Sequence, residues 1–308
     1  EAAEKARNAT AYVTLEPCSH FGVSPPCAAG LIEAGVKRVV SALEDPDDRV
    51  SGRGHGMLRD AGIIVDVGLY GDEARRINSG FLSRILSGRP TVTLKLASTM
   101  DGRSATKSGE SKWITGSAAR EQGHLLRANH DAILVGANTV LTDNPTLTCR
   151  IAGRYEQSPV RIILDRKGEV PLSADIVTSA HNVPTWVVTT DALLREVSEK
   201  FTETGVKVLS ARCENGHFDL NDVMKCLGEL GLTRVLVESG GILAASLVRD
   251  NLVDRIIHFS APSIIGADGK AMIANLGFDR LSDISMFRRV SIRAAGKDIV
   301  TNYEKITD

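Results

Sequence analysis

Thr91-Val92-Thr93-Leu94-Lys95-Leu96-Ala97-Ser98-Thr99-Met100-Asp101-Gly102-Arg103 is a strand that runs into a turn. Apart from Lys95, apolar and β-branched residues fill 92–97, and a polar, glycine-bearing stretch follows at once. Downstream, the segments 132–135, 160–164, 185–189, 207–209 and 234–238 read as further strands, and 254–260 as a last long one. Helix patterns near 116–128, 191–203 and 219–230 separate several of them. Strands alternating with helices predict an α/β domain whose parallel or mixed sheet is covered on its faces.

Upstream of this stretch the same alternation occurs on a smaller scale. Strands are predicted at 11–15, 36–43 and 63–67, with helices at 27–34 and 53–60. Gly35 and Gly62 stop those helices, because glycine accepts positive φ without penalty. A helical connector at 72–86 ends in the turn signal Ser87-Gly88-Arg89-Pro90, which places a domain boundary between 1–88 and 89–308. Neither an internal repeat nor a low-complexity tract is present.

At 308 residues the chain is too long for one ordinary core, in agreement with two domains. Hydrophobic residues make up 43% and charged residues 24%, a soluble globular balance. A net charge of −1 without a basic stripe argues against nucleic acid as a partner. No apolar run approaches the roughly 18 residues that cross a bilayer, which argues against a membrane partner. Five scattered cysteines make no disulfide framework, so a reducing, cytoplasmic compartment is expected. The opening residues, Glu1-Ala2-Ala3-Glu4-Lys5-Ala6-Arg7, lack an initiator Met and an apolar signal core. They read as the tail of a helix already under way, and the expectation is that the chain begins inside a domain.

Cys18 and Cys27 bracket a loop of glycine and prolines, with Cys27 at a helix start. The partial positive charge there favours thiolate, the form that binds zinc. On spacing alone a metal pair and two half-buried free thiols remain equal alternatives, since the usual deaminase signature separates its cysteines by two residues. The run Tyr12-Val13-Thr14-Leu15-Glu16-Pro17-Cys18-Ser19-His20-Phe21-Gly22-Val23-Ser24-Pro25-Pro26-Cys27 closely resembles the deaminase half of the bifunctional riboflavin-biosynthesis deaminase/reductase family. That resemblance implies that Cys18 and Cys27 are Zn2+ ligands in a cytidine-deaminase-like three-layer domain. It also implies an upstream His-Ala-Glu segment, whose His is the third ligand and whose Glu shuttles the proton. Nothing in 1–11 matches it, so the deaminase domain is expected to be N-terminally incomplete in this chain. A Cys18-His20-Cys27 clip is the lesser alternative to a His20 that faces substrate or solvent.

In the second domain, polar clusters sit where strands end, which is where open α/β sheets bind ligands. Ser108-Gly109-Glu110-Ser111-Lys112-Trp113-Ile114-Thr115-Gly116 carries one of two tryptophans. An indole there either stacks on a flat ring or plugs the core, and the residues alone favour the core. Val135-Gly136-Ala137-Asn138-Thr139-Val140-Leu141-Thr142-Asp143-Asn144-Pro145 follows a strand, and Val237-Glu238-Ser239-Gly240-Gly241-Ile242 puts two glycines before a helix. Such glycines let backbone N–H groups approach a phosphate, although a lone Gly-Gly is weak evidence.

Together these clusters resemble the reductase half of the same family over about 89–265, a dihydrofolate-reductase-like α/β domain. The C-terminal tail is less distinctive. The resemblance implies that Ala97, Trp113, Thr139, Asp143, Arg166 and the loop Gly240, Gly241, Ile242, Leu243, Ala244, Ala245 and Ser246 hold NADPH. Ser111, Arg127, Leu147, Arg150 and Glu238 would hold a phosphoribosylated pyrimidine. Arg127 and Arg150 suit a phosphate because guanidinium bonds it bidentately, whereas ordinary salt bridging is the default for either alone. Arg166 would favour the extra phosphate of NADPH over NADH. The implied reaction moves a hydride from NADPH to the ribose carbon attached to the pyrimidine amine. Asp143 is then the candidate catalytic residue, delivering a proton or stabilising an iminium-like cation. The complete polypeptide would also deaminate the preceding diaminopyrimidine at zinc, and the family implies a homo-oligomer. Two rivals are a monofunctional reductase with a relic first domain and a non-catalytic nucleotide-binding or zinc scaffold. The segments around Trp113, Asp143 and Gly240 are expected to converge on one pocket.

Overall fold

The computed structural model describes residues 3–22, 24–153 and 157–306, and the chain separates into two units, Glu1–Gly88 and Arg89–Asp308. In the first, β1 (Thr10–Val13), α1 (Cys27–Glu33), β2 (Arg38–Ser41), α2 (Arg53–Asp60) and β3 (Ile64–Val67) form two βα repeats and a closing strand. The sheet is parallel in the order β1-β2-β3. Ala28 of α1 and Leu58 of α2 are fully buried with Val36, Val39 and Ile63 in the small core. The expected single connector is two helices, α3 (Gly71–Ile77) and α4 (Ser79–Ser87). Asn78 lies between them, and its amide donates to the carbonyls of Ala74 (3.0 Å) and Thr14 (3.3 Å). A side chain that competes for backbone carbonyls breaks the helix at that residue.

The second unit begins with β4 (Thr91–Thr99), β5 (Arg103–Ala105), α5 (Ser117–Ala128), β6 (Ala132–Gly136) and α6 (Ala137–Asp143). It continues through β7 (Val160–Leu164), α7 (Asp175–Thr178), β8 (Thr185–Thr190), α8 (Leu194–Phe201) and β9 (Lys207–Ala211). The short hairpin β10 (Cys213–Glu214) and β11 (His217–Phe218) leads into α9 (Leu220–Glu229), β12 (Arg234–Val237), α10 (Gly241–Arg249) and β13 (Arg255–Ala261). Last come β14 (Lys270–Ala271), which pairs with β5, and the hairpin β15 (Phe287–Ala295) and β16 (Asp298–Lys305).

The main sheet has nine strands in the order β15-β16-β13-β4-β12-β6-β7-β8-β9. From β13 to β9 every pairing is parallel. The strands from β4 to β8 in this order are mostly buried, as when both faces are covered, which explains why they read as continuous apolar runs rather than alternating ones. Ile162 and Leu164 of β7 pack with Val223, Leu227 and Leu247 from α9 and α10, while Ile163 packs with Ile176, Val197 and Phe201 from α7 and α8.

The strand predicted at 254–260 is real but not last. The β15–β16 hairpin extends the sheet antiparallel beyond it. Seven of the nine β15 residues are exposed, and a register shift falls between Arg289 and Ser291, so no apolar period marks it. Among the described residues no helix is long and apolar enough to cross a membrane.

Candidate functional site

Parallel strands put all their C-terminal ends on one edge of the sheet. Within that edge β12 is inserted between β4 and β6, a switch point of the kind that opens a crevice. Val237, the last residue of β12, pairs with Leu94, while β4 runs on five residues to Thr99. At about 3.3 Å per residue, β4 stands roughly 16 Å proud of its neighbour. Alongside it β13 keeps pace, with Phe259 opposite Ala97. The result is a notch above β12.

Glu238 is the first residue beyond β12 and sits in that notch, its side chain 12% exposed. Arg127 of α5 grips it bidentately, with Nε donating to Oε1 (2.8 Å) and Nη2 to Oε2 (3.0 Å). The third guanidinium nitrogen, Nη1, donates to the Thr148 carbonyl at 3.0 Å. Lys95 Nζ lies 3.7 Å from Glu238 Oε2. Burial pushes the Glu238 carboxyl up, but the charges of Arg127 and Lys95 and the Arg127 hydrogen bonds outweigh it and hold the group at about 2.

Around this pair opens a cavity of about 300 Å³. Lys95, Lys112, Arg120, Arg127 and Arg150 line it against one carboxylate among the described residues, that of Glu238. In a chain of net charge −1 this is a local concentration of positive charge, suited to an anionic ligand. His124 shares the lining; burial and the charges of Arg127 and Arg150 lower its pKa. Trp113 is 70% exposed, and the Arg120 guanidinium lies 4.4 Å from its ring centroid. The core-plugging reading of Trp113 is therefore corrected. Its loop is polar on both sides, and an arginine on one ring face is its packing partner.

Six of the site residues expected from the sequence line this cavity: Ala97, Ser111, Trp113, Arg127, Arg150 and Glu238. Thr139 and Asp143 do not; they lie on α6, beyond the end of β6, with Asp143 exposed. Arg166 follows β7, and Gly240 caps α10 after β12. These groups share the strand-end edge with the cavity but not its lining, so the expected single pocket takes Trp113 without Asp143 or Gly240.

Within the stretch from Gly240 to Ser246, Ala244 and Ala245 are core residues, 0% and 1% exposed, and Leu243 is half-buried. Ile242 is exposed and Ser246 half-buried. A Cβ on Gly241 would come within 2.8 Å of the Ala271 carbonyl, whereas one on Gly240 would meet nothing. Only the first turn of α10 thus offers open backbone. Leu147 buries its side chain in the core and holds φ at +52°, so any ligand contact there falls to its backbone. Lys95, Arg120 and His124 were missed. A lysine inside an otherwise buried strand was the available signal for Lys95.

In the first unit the two cysteines meet: the Cys27 N–H donates to Cys18 Sγ at 3.2 Å. The hydrogen bond to Cys18 and burial raise the Cys27 thiol pKa, against the thiolate expected from the helix N-terminus alone. The one potential metal-ligating group among the described residues is Glu16, Glu44 and His55, which includes neither cysteine nor His20. Glu16 is buried and already accepts the backbone N–H groups of Asp45 (3.1 Å), Gly52 (3.0 Å) and His55 (3.1 Å), fastening the loop before α2. With two thiols alone the described residues fall short of the three protein ligands of a catalytic zinc.

Residues 90–301 match the family model described as the RibD C-terminal domain. The riboflavin biosynthesis protein RibD of Aquifex aeolicus (strain VF5) is 43% identical over 305 residues, covering 99% of this chain and 83% of that protein. Its namesake from Escherichia coli (strain K12) is 41% identical over 309 residues, with 97% and 82% covered. Among solved structures, Acinetobacter baumannii RibD superposes with a TM-score of 0.88 at 36% identity, covering 99% of this chain and 83% of that one. The diaminohydroxyphosphoribosylaminopyrimidine deaminase/5-amino-6-(5-phosphoribosylamino)uracil reductase of Thermotoga maritima gives 0.83 at 33% identity, with 97% and 80% covered. The chain belongs to the RibD family of riboflavin biosynthesis proteins.

Proposed function

We propose that the second unit is a pyrimidine reductase of riboflavin biosynthesis, taking 5-amino-6-(5-phosphoribosylamino)uracil to its ribityl product with NADPH. The observation that carries this reading is the cationic cavity over the notch at β12, with five lysines and arginines against Glu238. A phosphorylated sugar supplies the anion that such a lining attracts. Relatives with this activity in their names cover nearly the whole chain.

The residues present fit the cofactor. Trp113 offers an exposed ring, Ala97 a small residue on the cavity wall, and Gly240 open backbone before α10. Trp113, Ala97, Thr139, Asp143, Arg166 and the first turn of α10 would hold NADPH, which when bound supplies the hydride. Arg127 is already committed to Glu238, so Arg150 and Arg120 are the better partners for the substrate phosphate. Glu238, kept ionised by its two cations, would accept hydrogen bonds from the pyrimidine.

The test is NADPH oxidation followed at 340 nm with the phosphoribosylaminouracil as substrate. Turnover that needs both compounds supports the reading, and a purified protein that binds NADPH no tighter than millimolar removes it. Deamination is proposed only for a polypeptide that adds a third ligand and a carboxylate to Cys18 and Cys27. Zinc content and ammonia release, measured with and without such an upstream segment, decide that half. Equal deaminase activity in both would contradict it.

A further inference from the structure

Gly123 lies in the interior of α5, a 12-residue helix, and lines the cationic cavity. Glycine in a helix interior is destabilising relative to alanine, because it forfeits backbone entropy. A close approach to the Pro17 carbonyl explains Gly54 of α2, whereas Gly30 of α1 and Gly56 of α2 meet nothing within 4 Å but, unlike Gly123, do not line this cavity. At Gly123 a Cβ would meet no atom within 4 Å. Nothing in the folded chain therefore requires the missing side chain, and the open volume faces the site.

The neighbours of Gly123 say what the space is for. Arg120, His124 and Arg127 stand three before, one after and four after it, and all three line the same cavity, with Arg150 beside them. The Arg150 N–H lies 3.2 Å from His124 Nδ1, which ties that arginine to the helix. Among the described residues no carboxylate pairs with Arg120 or Arg150. We propose that Gly123 is a clearance position: the bare α5 backbone between Arg120 and Arg127 is the wall against which the substrate's phosphoryl group is seated. Rotamer-rich cations surround the anion there, and the glycine lets it come close enough to reach more than one of them. The inference rests on the reductase reading and adds a residue that sets which anionic group the site admits.

Gly123→Ala tests it, because the two effects of the methyl group have opposite signs. Without ligand, the melting temperature of the variant rises by about 2 °C, as for alanine replacing glycine in an exposed helix. The KM for the phosphoribosylaminouracil rises at least tenfold, and inorganic phosphate weakens as a competitive inhibitor by a similar factor. The KM for NADPH stays within twofold. An unchanged substrate KM together with turnover overturns the clearance role alone. A lowered melting temperature with both KM values raised makes Gly123 a folding residue and also overturns it. Absence of turnover in the unaltered protein would instead remove the reductase reading beneath it.

Discussion

The carboxylate of Asp298 accepts the backbone N–H of Gly116 at 2.6 Å, joining residues 182 apart in sequence. Asp298 opens β16 just past the hairpin turn and is 1% exposed. Gly116 is the N-cap of α5, and its own N–H, one of the donors a helix leaves without an intrahelical partner, is satisfied from the hairpin. A carboxylate at a helix N-terminus also meets the positive end of the dipole. Asp298→Ala leaves that part-buried N–H without its acceptor and costs about 1 kcal/mol. Urea unfolding measures the loss. Since Trp113 is three residues before Gly116, the same variant should raise the KM for NADPH more than Asp298→Asn does. Equal stability of the two variants and the parent would refute the capping role.

Much of the parallel block was legible from the sequence because strands buried on both faces have no polar alternation to blur them. Val160–Leu164 is the clearest case. The hairpin was not legible, for the opposite reason: β15 buries one residue of nine, so its order comes from the partner strand rather than from its own pattern. The anchor at Asp298 was lost with it. Within the site, Arg127 and Glu238 were expected as separate substrate contacts, and their mutual ion pair, across 111 residues, lies beyond any local pattern. Trp113 misled because an indole's large apolar area argues for burial, while the partner that keeps it at the surface, Arg120, is seven residues away on the next helix.

Acid should expose the Glu238 pair. Its folded pKa, about 2, lies below the ordinary 4.5, so its contribution to stability is complete above about 4.5 and is lost as pH falls from there toward 2. Glu238→Gln removes that contribution, and the variant's stability should fall less steeply over this interval than the parent's. Arg127→Ala leaves a buried carboxylate with one cation in place of two and is the harsher change, about 3 kcal/mol at neutral pH. Parallel pH profiles for parent and Glu238→Gln would contradict the assignment.

His130 predicts a second, milder acid sensitivity. Nδ1 lies 2.7 Å from the Leu126 carbonyl and must donate to it, which leaves Nε2 to accept from Thr93 Oγ1 at 3.0 Å. Burial lowers its pKa from 6.5, so the unfolded chain binds the proton more readily than the folded one. Its stabilising contribution is full above 6.5 and declines as pH drops through 6.5 toward the lower folded value. His130→Asn should lose stability at pH 7.5 yet lose less than the parent between pH 7.5 and 5.5. Since His124 and His258 are also lowered by burial, part of the parent's slope remains in the variant.

The source of the proton in the reduction separates the sequence from the structure. Sequence reasoning assigns it to Asp143, which is exposed on α6 and outside the cavity lining. Lys95 projects from β4 into the cavity, 3.7 Å from the carboxylate of Glu238. A general acid must come within hydrogen-bond reach of the atom it serves, and geometry takes precedence over type. Lys95→Met is therefore expected to lower kcat by about 100-fold or more, within the usual range for a lost acid–base group, with NADPH binding intact. Asp143→Asn should weaken NADPH binding and leave kcat at saturation within a few-fold of the parent. Stopped-flow single turnovers with preformed NADPH complexes distinguish the two, because they read the chemical step without the binding step. A Lys95→Met enzyme with normal single-turnover rates, beside an inert Asp143→Asn, would return the role to Asp143 and require α6 to move toward the cavity during the cycle.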